Sequence, residues 1–115
     1  MDEGKFKVES RGASVIITLG YLRLSHEELN EWGPRLEETA ANSAGHLVVL
    51  DMRSVQTISS VAIGKLFKAR RILIESGGEL RLVSASKPVL DVFRICRIDR
   101  LVKVSTSLEA ALASS

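Results

Sequence analysis

Leu47-Val-Val-Leu-Asp51 is an uninterrupted apolar run that ends at an acidic residue. A short connection leads from it to Thr57-Ile-Ser-Ser-Val-Ala-Ile-Gly64, where a helical pattern begins and continues to Ser76. Apolar residues without alternation are typical of a strand covered on both faces, so we predict a central strand here. Because Ser59 and Ser60 directly precede the helical run, the sequence also predicts polar side chains at a helix N-terminus beside the end of that strand.

Composition places the chain among ordinary globular domains. Its 115 residues are the length of one domain, and we predict a single domain over 1–115. A formal charge of +2 without a basic tract argues against direct nucleic-acid binding. The single Cys96 allows no internal disulfide and no metal framework, which is typical of a reducing cytoplasm. No apolar run approaches the roughly 20 residues of a membrane helix, so we expect no membrane insertion.

The chain before the central strand is predicted to form a hairpin and one helix. The segments from Phe6 to Ser10 and from Ala13 to Leu19 flank Arg11-Gly12, and their β-branched content favours a β-hairpin. The segment from Gly20 to Leu24 is predicted to be a connection.

The first helix carries a capping signal and an internal proline. Ser25 and Glu28 have capping-box spacing, which predicts a helix start. Pro34 predicts either a kink near Trp32-Gly33 or a restart of the helix at the proline. The polar face is acidic, and it is either a solvated surface or an acidic docking surface; its residues are Glu27, Glu28, Glu31, Glu37 and Glu38.

Helices alternate with strands after the central strand. The second helix should bury a stripe made of Ile63, Leu66, Phe67, Leu73 and Ile74. Gly77-Gly78 is expected to cap it. The later elements are predicted to be a strand over Glu79–Ser84, a helix opened by Ser86-Lys-Pro88 with Cys96 as a small core residue, a strand over Leu101–Val104 and a helix capped by Ser107. The order β-β-α-β-α-β-α-β-α predicts an α/β fold, a mixed sheet with parallel core strands.

This pattern resembles the STAS domain, the fold of bacterial anti-sigma factor antagonists. The resemblance covers nearly all of the chain from about Lys5, and three segments carry it together: Leu47 to Gly64, Gly77-Gly-Glu-Leu-Arg-Leu-Val83, and Ile98-Asp-Arg-Leu-Val-Lys-Val104 leading to Ser107-Leu-Glu-Ala-Ala-Leu112.

The resemblance identifies a switch loop, which in the family reads Asp, two residues that are Ser or Thr, then Gly-Leu-Gly. Anchoring on Asp51 and Gly64 puts Ser59 at the family's Asp and Ser60 at its phosphorylatable hydroxyl, while the second hydroxyl and the first Gly are replaced by Val61 and Ala62. Ser60 is therefore the expected phosphoacceptor, with Ser59 as the second candidate. The implied switch loop comprises Asp51, Ile58, Ser59, Ser60, Val61 and Ala62. The departures imply that kinase recognition differs from the standard member or that phosphorylation has been lost.

The resemblance implies a cytoplasmic binding module without catalytic activity or cofactor. Its expected partners are an anti-sigma factor with serine kinase activity, a cognate phosphatase and other STAS proteins. The expected partner-facing residues are Ile63, Gly64, Lys65 and Lys68. Two alternatives stay open: a stressosome-type scaffold subunit, and an accessory subunit of a membrane-transport ATPase.

The residues by themselves also allow plainer interpretations. Ser59 and Ser60 could serve only as helix-capping residues. Asp51 could be a metal ligand, but a lone carboxylate at a strand end is more often an acceptor that stabilises a loop. The lysines of the second helix could form a solvated face. His26 and His46 lie far from Cys96 in the sequence and show no hydrolase spacing.

Overall fold

The structure, a computed structural model, describes residues 5–25 and 29–113. The elements of the described residues are, in chain order, β1 (Phe6–Arg11), β2 (Ser14–Leu19), β3 (Arg23–Leu24), α1 (Leu29–Ala41), β4 (Leu47–Asp51), β5 (Thr57–Ile58), α2 (Ser60–Glu75), β6 (Glu79–Val83), α3 (Lys87–Ile95), α4 (Ile98–Leu101), β7 (Lys103–Ser105) and α5 (Leu108–Leu112). Among these residues, no helix is both long enough and apolar enough to cross a membrane.

The main sheet has five strands in the order β1-β2-β4-β6-β7. The first two strands form the predicted antiparallel hairpin, with Phe6 opposite Leu19 and Arg11 opposite Ser14. All other neighbours in this sheet are parallel, so the predicted mixed sheet with parallel core strands is confirmed. β4 occupies the centre, as its unbroken apolar sequence predicted.

Both faces of β4 are covered. Val48 and Leu50 belong to the large core beneath α1 and α2, whereas Val49 belongs to a smaller cluster on the opposite face. That smaller cluster also contains Ile16, Val83 and Ala111, the last contributed by α5. Two-sided burial therefore explains why the strand does not alternate between apolar and polar residues.

The first helix continues through Pro34 rather than restarting there. Pro34 cannot donate to the carbonyl of Asn30, but Asn30 is exposed, so water can satisfy that acceptor. The predicted restart is therefore wrong, and the predicted kink near Trp32-Gly33 stays a prediction. The predicted capping box includes Glu28, which lies outside the described residues. Trp32, Leu36 and Ala40 form the buried side of α1.

Two predicted core positions are exposed instead. Ile74 is 47% exposed: it lies in the last turn of α2, whose buried residues are Ala62, Ile63, Leu66, Ala69 and Leu73. Cys96 is also exposed, because α3 ends there and Arg97 follows with a φ of +61°. The predicted core roles of Ile74 and Cys96 are thus corrected.

Short elements account for the remaining differences. β3 and β5 pair in a separate two-stranded sheet, so the predicted connection Gly20–Leu24 contains a strand. The predicted strand Leu101–Val104 starts later, at Lys103, because Leu101 completes the helical turn α4. Pairings of two or three residues leave too little periodicity for a sequence pattern to reveal.

Ion pairs connect α1 and α2 where the two helices pack against each other. Lys65 Nζ lies 2.8 Å from Glu37 Oε2, and Lys68 Nζ lies 3.5 Å from Glu37 Oε1. The hydrogen bond from Lys65 is the largest influence that lowers the pKa of Glu37. Part of the acidic face of α1 is therefore used within the molecule, which argues against a docking role for Glu37.

We predict that Glu37→Gln destabilises the protein at neutral pH and that this difference fades in acid. A lowered folded-state pKa means that the carboxylate stabilises the fold above its unfolded-state pKa and loses this effect as pH falls through the folded-state value. The expected loss at neutral pH is about 1 kcal/mol or less, because the pair is partly exposed. Urea unfolding of both proteins at neutral pH and near pH 3 measures it.

Glu38→Gln is the matched control, since Glu38 is the next residue on α1 and is exposed. The two variants should differ at neutral pH and converge in acid. Equal stability of the Glu37 and Glu38 variants at every pH would contradict the assigned role of the inter-helix pair.

Candidate functional site

The strand-to-helix junction, defined here as residues 51–62, lies at the carboxyl end of the parallel strands. Asp51 ends β4 and pairs in register with Val83, the last residue of β6. Met52 then donates a backbone hydrogen bond to Val83 over 2.8 Å, which keeps the chain beside the sheet. The junction therefore begins on the most buried strand and ends on the first turn of α2.

Asp51 is buried and is an acceptor for one neighbouring residue. Its Oδ1 accepts from the Arg53 backbone N–H at 3.1 Å and from Arg53 Nε at 2.9 Å, and its Oδ2 accepts from Arg53 Nη2 at 2.7 Å. The hydrogen bond to Asp51 is the main cause that raises the pKa of the Arg53 guanidinium. A carboxylate bound in this way fixes the turn after β4.

The described residues give no support to the metal alternative for Asp51. Within 5–25 and 29–113, no group of three or more His, Cys, Asp or Glu side chains could hold a metal ion. The carboxylate oxygens of Asp51 are instead occupied by Arg53, as expected for an acceptor that stabilises a loop.

Ser59 is the N-cap of α2. Its backbone is extended, with φ −90° and ψ 165°, and its side-chain oxygen accepts from the Ala62 N–H at 3.2 Å. Its own N–H donates to the Leu24 carbonyl over 2.9 Å, so a backbone hydrogen bond to β3 also fixes the position of Ser59. The Ser59 hydroxyl is thus committed to the helix start, as its capping role predicted.

Ser60 has a different environment although it is the next residue. It is the first residue of α2 and is exposed. None of the described residues engages its hydroxyl in a hydrogen bond, whereas the adjacent Ser59 hydroxyl is engaged. The structure therefore separates two serines that the sequence presents as equivalent: one builds the helix start, and the other faces outward.

The next two residues of the predicted switch loop, Val61 and Ala62, differ in burial. Val61 is 42% exposed, and Ala62 is fully buried beneath the helix start. Among the described non-glycine residues only Arg97 has a positive φ, so Ala62 does not need the backbone freedom of the family's glycine. Ile58 lies on β5 and is half-buried against the core.

The predicted partner-facing residues do not form one open surface. Ile63 is only 7% exposed and packs in the core, so its predicted surface role is corrected: it lies on the buried stripe of α2. Lys65 and Lys68 pair with Glu37 on α1, although Lys68 keeps 54% of its side chain exposed. Gly64 is exposed, and a Cβ there would meet nothing within 4 Å.

Sequence reasoning missed several residues that surround the junction. Leu22 is 63% exposed, and its carbonyl accepts the Gln56 N–H at 2.7 Å. Ser86, before α3, donates from Oγ to the Gln56 carbonyl at 3.2 Å. A shallow cleft of about 320 Å³ lies here, lined by Arg53, Gln56, Ala85, Ser86 and Pro88. The spacing of Asp51 and Arg53 could have predicted their ion pair, but nothing in the local sequence predicts that Leu22 lies beside the junction.

Among the described residues, no side chain that could act as a general base hydrogen-bonds to the Ser60 hydroxyl, and His26 lies outside those residues. His46 precedes β4 and so lies at the opposite end of that strand from Asp51, roughly 15 Å away for a strand of this length. Cys96 is exposed after α3.

Three solved structures share the fold over most of both chains. An anti-sigma-factor antagonist (STAS) domain protein from Planctomyces limnophilus has a TM-score of 0.84 at 18% identity, covering 95% of this chain and 96% of its own. An anti-sigma factor antagonist from Mycobacterium paratuberculosis has a TM-score of 0.83 at 15% identity, with coverages of 94% and 90%. The anti-sigma factor antagonist SpoIIAA in its unphosphorylated form has a TM-score of 0.73 at 20% identity, covering 91% of each chain.

Sequence comparison extends the likeness from fold to family. No curated protein matches the chain. The family model of the STAS domain, however, matches residues 7–111. That match includes every strand of the main sheet apart from the first residue of β1, and it includes the whole junction. The chain therefore belongs to the STAS domain family.

Proposed function

We propose that this protein is an anti-sigma factor antagonist that acts in the cytoplasm by binding rather than by catalysis. It would bind an anti-sigma factor with serine kinase activity at the surface around Ser60. Phosphorylation of Ser60 would end that binding, and a phosphatase would restore it. The observation that carries the proposal is the exposed Ser60 hydroxyl at the start of α2 in a STAS domain, which no described residue engages in a hydrogen bond.

The helix start suits a phosphate electrostatically. Phosphorylation adds about −1.5 to −2 charges, and the N-terminus of a helix carries partial positive charge. The first turn of α2 contains no acidic residue that would repel the added group. The Ala62 N–H is bonded to Ser59 Oγ and the Ile63 N–H to the Ser59 carbonyl, whereas no described residue accepts from the N–H groups of Ser60 and Val61, which could face an anion. Modification can therefore be accommodated without refolding the helix.

The same surface offers apolar contacts to a protein partner. Val61 directly follows Ser60, and Leu22 lies on the segment that pairs with the strand just before Ser59. Exposed aliphatic side chains of this kind are what a docked partner would bury. A phosphate on Ser60, next to Val61, would have to be desolvated in the complex, so binding would weaken through charge and bulk rather than through a conformational change.

We predict that phosphorylation, or Ser60→Glu, abolishes recovery of the anti-sigma kinase. Wild type and Ser60→Ala should recover it equally by affinity purification, because the alanine variant leaves the docking surface uncharged. Phosphopeptide mapping of wild type should place the phosphate on Ser60. Ala13→Glu is the charge-matched control, since Ala13 is exposed in the hairpin turn at the opposite end of the sheet.

Equal recovery of the kinase by wild type and Ser60→Glu would contradict the switch. Recovery of a transport ATPase, or of a large assembly of STAS proteins, in place of an anti-sigma factor would contradict the proposed partner class. The two results are distinguishable, because the first concerns the modified residue and the second the protein that binds.

We predict stability effects of different size for the two adjacent serines. Ser59→Ala removes the bond to the Ala62 N–H and should cost about 1 kcal/mol of unfolding free energy. Ser60→Ala removes no such bond and should change stability by less than about 0.5 kcal/mol. Urea denaturation measures both, and partner binding by each stable variant serves as the second readout. Equal losses would contradict the division of roles between cap and acceptor.

A further inference from the structure

Gly64 is an exception on the outer side of α2. An α-helix completes a turn every 3.6 residues or about 100° per residue, so Gly64 lies on the side opposite the buried Leu73. Lys68, Arg71 and Glu75 follow Gly64 at helical spacing on that outer side, and all three are exposed. Long polar side chains are typical of a solvated helix face, and only the first of these four positions lacks one.

The described contacts of the fold do not require glycine at this position. The backbone of Gly64 is helical, and its φ is not positive. A Cβ added there would meet no heavy atom within 4 Å beyond its own turn of the helix, whereas one at Gly78 would collide with the His46 backbone. Glycine inside a helix lowers the folding equilibrium constant by up to about fivefold relative to alanine. Gly64 therefore costs stability without a compensating contact among the described residues.

The two lysines nearest to Gly64 leave its backbone uncovered. Side chains on a helix lean toward its N-terminus, so an untethered Lys68 could lie over the turn that contains Gly64. Lys65 Nζ and Lys68 Nζ instead lie 2.8 Å and 3.5 Å from the carboxylate oxygens of Glu37 on α1. These ion pairs direct both side chains toward the neighbouring helix. The backbone of α2 is therefore open to approach at Gly64.

This open backbone lies one helical turn from Ser60. Positions four residues apart on a helix face the same side and are about 5–6 Å from each other. Val61, which is 42% exposed, lies three residues before Gly64 and borders the same turn. A group packed against Gly64 would therefore be next to a phosphate on Ser60 and within contact distance of the apolar Val61.

We propose that the partner protein packs directly against the backbone of α2 at Gly64, and that the missing side chain leaves the room for this contact. The inference rests on the proposed function, because the partner is the anti-sigma kinase that binds around Ser60. Glycine is the residue that allows the closest approach to a backbone. The role accounts for a helix-destabilising residue on an exposed face. It also places the packed segment of the partner where a phosphate on Ser60 would meet it.

Gly64→Ala and Gly64→Gln test this role, because folding and binding should change in opposite directions. Both new residues favour a helix more than glycine does, so urea denaturation should give a higher midpoint for each variant than for wild type. The dissociation constant for the purified anti-sigma kinase, measured by titration calorimetry, should rise about tenfold for Gly64→Ala and about a hundredfold for Gly64→Gln. The larger side chain should have the larger effect because it displaces the partner further.

Ala41→Gln is the matched control for added bulk on an exposed helical residue. Ala41 is the last residue of α1 and is exposed. The chain leads from it to the start of β4, at the opposite end of that strand from the junction. The control should therefore leave the dissociation constant within about twofold of the wild-type value.

Three results would overturn the role of Gly64 while leaving the switch at Ser60 intact. The first is kinase binding by both Gly64 variants as tight as that of wild type. The second is an equal loss of binding for alanine and glutamine, because a need for backbone flexibility, unlike a need for space, does not depend on side-chain size. The third is a lower urea midpoint for the variants, which would mean that the fold itself needs the glycine. Wild type that binds no anti-sigma kinase would overturn the proposed function, and this inference with it.

Discussion

Burial of β4 on both faces is the constraint on which the rest of the structure depends. A strand in the middle of a five-stranded sheet needs cover above and below. The helices α1 and α2 cover Val48 and Leu50 on one face, and α5 covers Val49 on the other face. The helices therefore pack on both sides of the sheet, because both faces of the central strand are apolar. The apolar run of β4 ends at Asp51, where the polar residues of the junction begin.

The end of the buried strand gives the site its rigidity. Asp51 is itself buried, yet its carboxylate is satisfied within two residues by Arg53, so the turn can form without an outside ligand. Ser59 then fixes the start of α2 through its bond to Ala62. These two local contacts leave Ser60 on a rigid support with its hydroxyl free of the described side chains. A rigid, outward hydroxyl is what a modifying enzyme and a docking partner can both recognise.

The periphery of the sheet contrasts with its centre. At the centre, the outward groups of each strand are paired by a neighbour on both sides, and side-chain packing decides the arrangement. At β1, only β2 pairs with the strand among the described residues, and most of β1 is exposed. The described residues thus present two distinct surfaces, one at a helix start and one at a sheet edge.

Local sequence patterns determined much of this protein. The apolar run of β4, the capping serines at 59 and 107 and the glycine at 77 specified most of the elements and their order, because such signals depend on residues a few positions apart. The tertiary structure alone decided that Lys65 pairs with Glu37, that Ile63 is buried while Ile74 is exposed, and that Leu22 stands beside the junction. These relations join segments that are distant along the chain or, for Ile63 and Ile74 near the two ends of α2, depend on which part of the helix other elements cover. Only the packing of the elements, and not the period of their sequences, determines that geometry.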